Sequence, residues 1–207
     1  MEKSVSLKTA VYDAVLDSVI RGEFAPGQIL NEKDLIQKYG CSKSPVREAL
    51  ISLCGDRVLE NIPRCGYMVV HLTVSDAVNV LSFRLAVEEA FMREYYLNLT
   101  GQDLTLLEEI NRKDAQMDGD VWEHWELNAQ FHLTLMSFSG NQYAYQQIEE
   151  SMHVLKRVYA QCYRTRWSSV KPGSGGNYHK AILDGLREHD IETAVANLRL
   201  DLQDFYR

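Results

Sequence analysis

The chain has 207 residues and a formal net charge of −7, from 22 Lys and Arg against 29 Asp and Glu. That length suits one large domain or two modest ones, and 45% hydrophobic with 25% charged residues is the composition of a chain that folds. No apolar run approaches the ~20 residues of a membrane span. Residues 1–8 lack the apolar core of a secretion signal, and the four cysteines, at 41, 54, 65 and 162, form no CxxC pair, so neither a zinc ribbon nor a disulfide framework is indicated. A cytoplasmic protein with no membrane partner is expected.

The acidic total argues against a nucleic-acid partner, but its distribution removes that objection. Through Leu72 there are nine cations and nine anions, so all the net acidity lies downstream. This asymmetry predicts two units with different partners, residues 1–72 and 73–207.

In the first unit, Leu7, Ala10, Val11, Ala14, Val15, Ser18 and Val19 fall on one face of a helix over 7–21. Gly22 ends it and Pro26-Gly27 marks a turn. Asn31 can cap a short helix from Glu32 to Tyr39, with Leu35 and Ile36 inward and Gly40 at its end. Ser42 or Ser44 caps a third helix, with Pro45 in its first turn, where a missing N–H is harmless. Val58 to Ile62 and Tyr67 to Val70 read as strands joined by a hairpin turn at Pro63-Arg-Cys-Gly66.

Two short helices joined by Tyr39-Gly-Cys-Ser42 and followed by a hairpin wing fit a winged helix-turn-helix. The second helix of such a motif lies in the major groove. Ser42, Lys43, Ser44 and Arg47 then reach phosphates and base edges, with Arg47 able to fork onto guanine O6 and N7. Lys33 can touch the DNA backbone, and Arg64 at the wing tip, followed by Gly66, can approach the minor groove. Each of these residues taken singly can equally be an ordinary surface charge or cap.

Beyond residue 72 the pattern is all-helical. Thr73-Val-Ser-Asp76 reads as a capping box opening a long helix to about Leu99. Further helices are expected over 103–117, 120–138, 142–167, 175–188 and 191–206. The glycines at 173–176 follow no strand and precede no Lys-Ser/Thr, so they mark a loop and not a phosphate cradle. The expected fold is mainly α: a winged helix-turn-helix of three helices plus a β-hairpin, then an all-α bundle of about six helices.

Three segments carry a family resemblance: Ile20-Arg-Gly-Glu-Phe-Ala-Pro-Gly-Gln-Ile-Leu30, Cys41-Ser-Lys-Ser-Pro-Val-Arg-Glu-Ala-Leu50 and Pro63-Arg-Cys-Gly-Tyr-Met-Val69. In this order, within residues 7–71, they resemble the winged helix-turn-helix of the GntR family of bacterial transcription regulators. Lys43 and Ser44 stand where the family has Arg and Thr; Lys keeps the charge but loses the bidentate fork. Arg57 stands where the family commonly has Gly before the wing, which leaves the turn there open.

Residues 73–206 resemble the FCD ligand-binding domain of the FadR-type branch. The anchors are Arg84-Leu-Ala-Val-Glu88, Asn128-Ala-Gln-Phe-His132, Ser139-Gly-Asn141, His179-Lys-Ala-Ile-Leu183 and His189-Asp190 with Ala194. The resemblance implies a DNA-binding repressor, a homodimer on a near-palindromic double-stranded operator, answering to a small organic acid or sugar acid. It also implies a metal site from Asp-x-x-x-His and two later His. Here those positions are Asn128, His132, His179 and Asp201, with Asn for the Asp and Asp for the last His. Two imidazoles and a carboxylate suit Zn, Ni, Fe or Mn, the amide being a weak ligand. Alternatively His132 and His179 hold an effector directly. Arg84 matches a family Arg suited to a carboxylate, or it pairs with Glu88 at i,i+4 spacing. Tyr159 and Tyr163, with Arg157, line the effector cavity or fill the core. His124, His153 and His189 read as surface or capping residues.

Two other readings compete. A metal-dependent enzyme would use His132, His179 and Asp201, but no HExxH or GxSxG set is present and the first 71 residues would have no role, so an enzyme is not expected. A helical interaction module without a ligand would leave the aligned polar residues 128, 132, 179 and 201 unexplained.

Overall fold

The structure, a computed structural model, describes residues 6–118, 120–163 and 178–204. The predicted glycine-rich loop and the helix ends expected at 167 and 175 lie outside these residues. The chain divides into two compact units, Met1–Thr73 with Arg157–Cys162, and Val74–Lys156 with Tyr163–Arg207.

In the first unit, α1 (Leu7–Ile20) is capped by Ser6, whose Oγ accepts from the Thr9 N–H at 3.1 Å. Its predicted stripe holds from Val11 onward: Val11, Val15, Ser18 and Val19 are buried and Ala14 half-buried, while Leu7 and Ala10 are exposed, and α1 packs on α3 (Lys43–Gly55). Between them α2 (Glu32–Tyr39) ends on Gly40, whose φ of 63° is the left-handed conformation that glycine adopts without strain. Of the two serines offered as caps for α3, Ser42 takes the N-cap position, with extended backbone and no side-chain cap bond. Ser44 lies inside the first turn and donates to Glu48 Oε1 at 2.7 Å.

Strands β2 (Leu59–Ile62) and β3 (Gly66–Val69) form the expected hairpin, with Leu59 opposite Val69 and Ile62 opposite Gly66. The sequence pattern predicts this hairpin alone, and the structure corrects that expectation. A third strand, β1 (Ile29–Leu30), lies antiparallel on β3, giving the order β1-β3-β2. Two residues are too few to display the alternation by which a strand is recognised. One core joins the helices to the sheet, with Leu30, Leu35, Val46, Leu50, Leu53, Leu59, Tyr67 and Val69 packed on the valines of α1.

Arg57, where glycine was the family expectation, does adopt a glycine-like φ of 52°. For an L-residue this conformation costs roughly 1–2 kcal/mol. The Arg57 carbonyl accepts from Arg157 Nη1 at 2.5 Å. Arg157 belongs to the short segment that clusters with this unit, as does Gln161, which bonds the Leu72 N–H and the Val70 carbonyl at 2.9 and 3.0 Å.

The second unit contains α4 (Val74–Tyr95), a 3₁₀ turn (Tyr96–Asn98), α5 (Gly101–Gln116) and α6 (Val121–Ser137). It continues with most of α7 (Gln142–Cys162), then α8 (Tyr178–Arg187) and α9 (Ile191–Asp204). The breaks before α5 and α6 are full capping boxes, Thr100 with Asp103 and Asp120 with Glu123. Helix α4 packs on α6 and α9, and α5 on α6 and α8. Helices α8 and α9 approach closely at Gly185. A Cβ on Gly185 would stand 2.8 Å from the Ala194 backbone nitrogen and 3.0 Å from the Asp190 carbonyl oxygen. Among the described residues, no helix is long and apolar enough to cross a membrane.

Candidate functional site

The predicted DNA-reading residues lie on three elements of the first unit. Ser42, Lys43, Ser44 and Arg47 occupy the start of α3, Lys33 the start of α2, and Arg64 the wing turn; all six are exposed. In that turn the Cys65 N–H returns to the Ile62 carbonyl at 3.0 Å, and Arg64 sits at a left-handed φ of 67°. Gly66 is required: its φ is 131°, and a Cβ would lie 2.5 Å from the Leu30 carbonyl oxygen on β1. Glu32, which no sequence motif singles out, ties these elements together. Its carboxylate lies 3.6 Å from Arg47 Nε and 4.0 Å from Lys43 Nζ, and Oε1 accepts from the Tyr67 hydroxyl at 3.3 Å. The i,i+11 and i,i+15 spacings give no helical signal, so only the fold reveals this junction.

In the second unit, four helices converge on a buried polar cluster. Helix α4 supplies Arg84 and Glu88, α6 supplies His132, α8 His179 and α9 Asp201. Arg84 Nε donates to Glu88 Oε1 at 2.7 Å, and Glu88 Oε2 meets His132 Nδ1 at 2.7 Å. On the other edge of that ring, Nε2 meets Asp201 Oδ2 at 3.0 Å. His179 Nε2 lies 3.6 Å from Asp201 Oδ1. Its ring stacks on Phe131, with centroids 3.9 Å apart and planes 9° from parallel. Arg84, Glu88 and His132 are each 3% exposed or less.

Burial alone would raise the Glu88 carboxyl, but Arg84 and His132 outweigh it and hold it below its ordinary value. His132 is raised, because Glu88 and Asp201 overcome the opposing effect of burial. Burial pushes His179 down to about 4, so its imidazole is neutral at pH 7. Asp201 would be raised by burial, yet the two histidines bring it down to about 2. His179 is in the protonation state a divalent ion requires, whereas His132 must release a proton to ligate one.

The structure thus brings together three of the four predicted ligands: one donor atom from each of His132, His179 and Asp201 lies within 4.8 Å of the other two. The donor set fits a cation, since His179 Nε2 is buried and has no hydrogen-bond partner among the described residues. Asn128 lies half-buried on α6, one turn before His132. Arg84 makes the helical pair with Glu88, while its Nη2 is buried without a hydrogen-bond partner among the described residues. Tyr159 is buried in the segment that clusters with the first unit, and Tyr163 is half-buried just beyond α7. For His124 the structure corrects the expectation of a surface or capping role. It is partly buried and its Nδ1 meets Asp114 Oδ1 at 2.6 Å, tying α6 to α5.

A winged helix-turn-helix followed by a helical unit with a buried polar cluster defines the class of DNA-binding transcription regulators. The family comparisons make this specific. Residues 7–69 match "Bacterial regulatory proteins, gntR family" and residues 79–204 match the FCD domain. The chain belongs to the GntR family, in the branch that carries an FCD domain, and the enzyme reading falls, since the matched families are regulators.

Among relatives, it is similar to YdhC, an HTH-type transcriptional regulator of Bacillus subtilis (strain 168), at 28% identity over 146 residues, which are 69% of this chain and 65% of YdhC. It is also similar to the HTH-type transcriptional regulator McbR of Escherichia coli (strain K12), at 29% identity over 189 residues, 90% of this chain and 79% of McbR. The solved structure of E. coli McbR/YncC superposes with a TM-score of 0.73 at 25% identity, covering 97% of this chain and 95% of that one. The HTH-type transcriptional repressor RspR of Escherichia coli (strain K12) is 28% identical over 156 residues, 72% of this chain and 66% of RspR.

Proposed function

We propose that residues 1–72 read a near-palindromic operator, and that residues 73–207 form the dimer interface and bind a small carboxylate metabolite that changes operator affinity. Repression is the proposed mode, supported by the name of the relative RspR. The homodimer follows from the symmetry argument: two copies of one recognition helix read two half-sites related by a two-fold axis. Effector control requires that the metabolite bind one arrangement of the dimer better than the other.

The observation that carries the effector reading is the buried His132–His179–Asp201 cluster, with Arg84 one residue behind it through Glu88. His132, His179 and Asp201 would hold a divalent ion of the Zn, Ni, Fe or Mn class, with Asn128 adding a weak amide ligand. Such an ion supplies a positive anchor for a carboxylate, and Arg84 Nη2 supplies a second, hydrogen-bonding one. Tyr163 is proposed to line the effector cavity; Tyr159, which clusters with the first unit, is not.

Thermal unfolding of chelator-treated protein tests this, first with Zn²⁺, Ni²⁺ or Mn²⁺ alone and then with a panel of small organic acids and sugar acids. A ligand at 100 times its Kd stabilises the native state by about 2.7 kcal/mol. The expected result is stabilisation by an ion, lost in His179→Ala, and further stabilisation by an acid only when the ion is present. Identical curves for the wild type with and without every ion would overturn the metal reading.

A further inference from the structure

We infer that Glu88 is a positioning residue of the ion site: its carboxylate fixes the His132 ring so that Nε2, and not Nδ1, faces His179 and Asp201. This rests on the metal reading above and extends it to a residue outside the ligand set.

The ring of His132 is held on both edges, by Glu88 Oε2 at Nδ1 and by Asp201 Oδ2 at Nε2, at 2.7 and 3.0 Å. Turning it by half a revolution would set carbon atoms against both carboxylates. Glu88 itself cannot swing away, because its other oxygen accepts from Arg84 Nε at 2.7 Å. The two oxygens of this one buried carboxylate therefore act separately. Oε1 is anchored to the guanidinium of its own helix, and Oε2 reaches across to α6.

A simple buried Arg84–Glu88 pair would need only the first contact. The second places a carboxylate behind a ligating imidazole. There it keeps a proton on Nδ1, so that the proton an ion displaces is the one on Nε2, now shared with Asp201, and it makes that nitrogen a better ligand once the proton has left. Partners of this kind typically alter metal affinity about 10–100-fold. Asn128 contributes no charge of its own, so the site depends more heavily on how well its two imidazoles are presented.

Glu88→Gln alone would strand the buried Arg84 guanidinium and can unfold the unit. Two double variants of the full chain avoid this. Arg84→Met with Glu88→Leu replaces the ion pair by apolar groups, an exchange that is often close to neutral for stability. Arg84→Met with Glu88→Gln restores an acceptor for the Nδ1–H without the charge. Zn²⁺ alone is titrated against a chelator of known affinity. Nitrogen-15 NMR of the histidine rings in the Zn²⁺-bound wild type reports which nitrogen carries the proton.

The expected results are His132 ligating through Nε2 with Nδ1 protonated, Zn²⁺ binding weakened roughly 10–100-fold in the Leu variant, and part of that loss recovered in the Gln variant. A merely structural role predicts no recovery between two variants of equal stability. If the wild type binds Zn²⁺, His179→Ala does not, and both double variants bind like the wild type, the Glu88 inference alone is overturned. Ligation through Nδ1 overturns it as well. If the wild type itself binds no Zn²⁺, the metal reading falls and the inference with it.

Discussion

Gly185 sets how closely α8 approaches α9, and Gly185→Ala gives opposite outcomes under local and tertiary reasoning. Helix propensity alone favours Ala over Gly by about 1 kcal/mol in a helix interior. In the fold, the added Cβ would lie 2.8 Å from the Ala194 nitrogen, 3.0 Å from the Asp190 carbonyl oxygen and 3.2 Å from the Ala194 Cα. Comfortable contacts of this kind begin near ~3.5 Å, so the helices must part by roughly half an ångström at this point. All three obstructing atoms are backbone, so no side-chain rotation relieves the overlap.

Overpacking of this kind costs about 1–3 kcal/mol. The same atoms also hold the turn into α9, where the Asp190 N–H donates to the Gly185 carbonyl at 2.8 Å and the Ala194 N–H to the Asp190 carbonyl at 3.1 Å. Weakening these bonds adds about 1 kcal/mol, which offsets the propensity gain, so the net expectation is a loss of about 1–3 kcal/mol. The displacement also separates His179 on α8 from Asp201 on α9, at a site whose geometry must hold to about 0.5 Å. Tryptophan fluorescence during urea unfolding reads the second unit, because Trp122 and Trp125 belong to it and no tryptophan occurs within residues 1–73 or 157–162. The expected result is a lower midpoint at unchanged slope, with weaker Zn²⁺ binding. A variant as stable as the wild type or more so, with Zn²⁺ affinity intact, would refute the close-approach argument.

Three further outcomes are expected. Arg47→Ala should weaken binding by about 1–3 kcal/mol to a duplex selected by the protein from a random pool, with discrimination relaxed at a guanine; a loss that is uniform over all sequences would make Arg47 a phosphate contact instead. Gly66→Ala should disrupt the wing, because its Cβ would lie 2.5 Å from the Leu30 carbonyl oxygen; operator affinity should fall while the tryptophan-detected unfolding of the second unit stays unchanged, and an unaltered footprint would contradict it. Asn128→Asp should tighten Zn²⁺ binding by exchanging a weak amide for a carboxylate; equal affinity would remove Asn128 from the ligand set.

What the sequence made legible follows the range of each interaction. The α1 stripe from Val11 to Val19, the stop at Gly40 and the Pro-Arg-Cys-Gly turn are local patterns, and all three are present, while Leu7 and Ala10 at the start of the stripe are exposed. Strand β1 is local too but only two residues long, and it exists because Gly66 lets β3 come within reach of Leu30. The left-handed Arg57 shows the converse: the backbone demand of the family persists after the residue suited to it has gone.

The buried cluster divides the same way. Arg84 and Glu88 are four apart on one helix, so their pairing was one of two readings of the sequence, as a surface-like contact of modest worth. Glu88 and His132 are 44 residues apart and meet only because α4 packs on α6, which turns that modest pair into the support of a ligating ring. The acidity of the second unit also changes its meaning. Glu88 and Asp201 are part of it, yet neither belongs to an exposed acidic surface; both face imidazoles in the interior, where a carboxylate persists only if it is paired. For these two residues the negative charge reports the chemistry of the site and says nothing about repulsion from DNA.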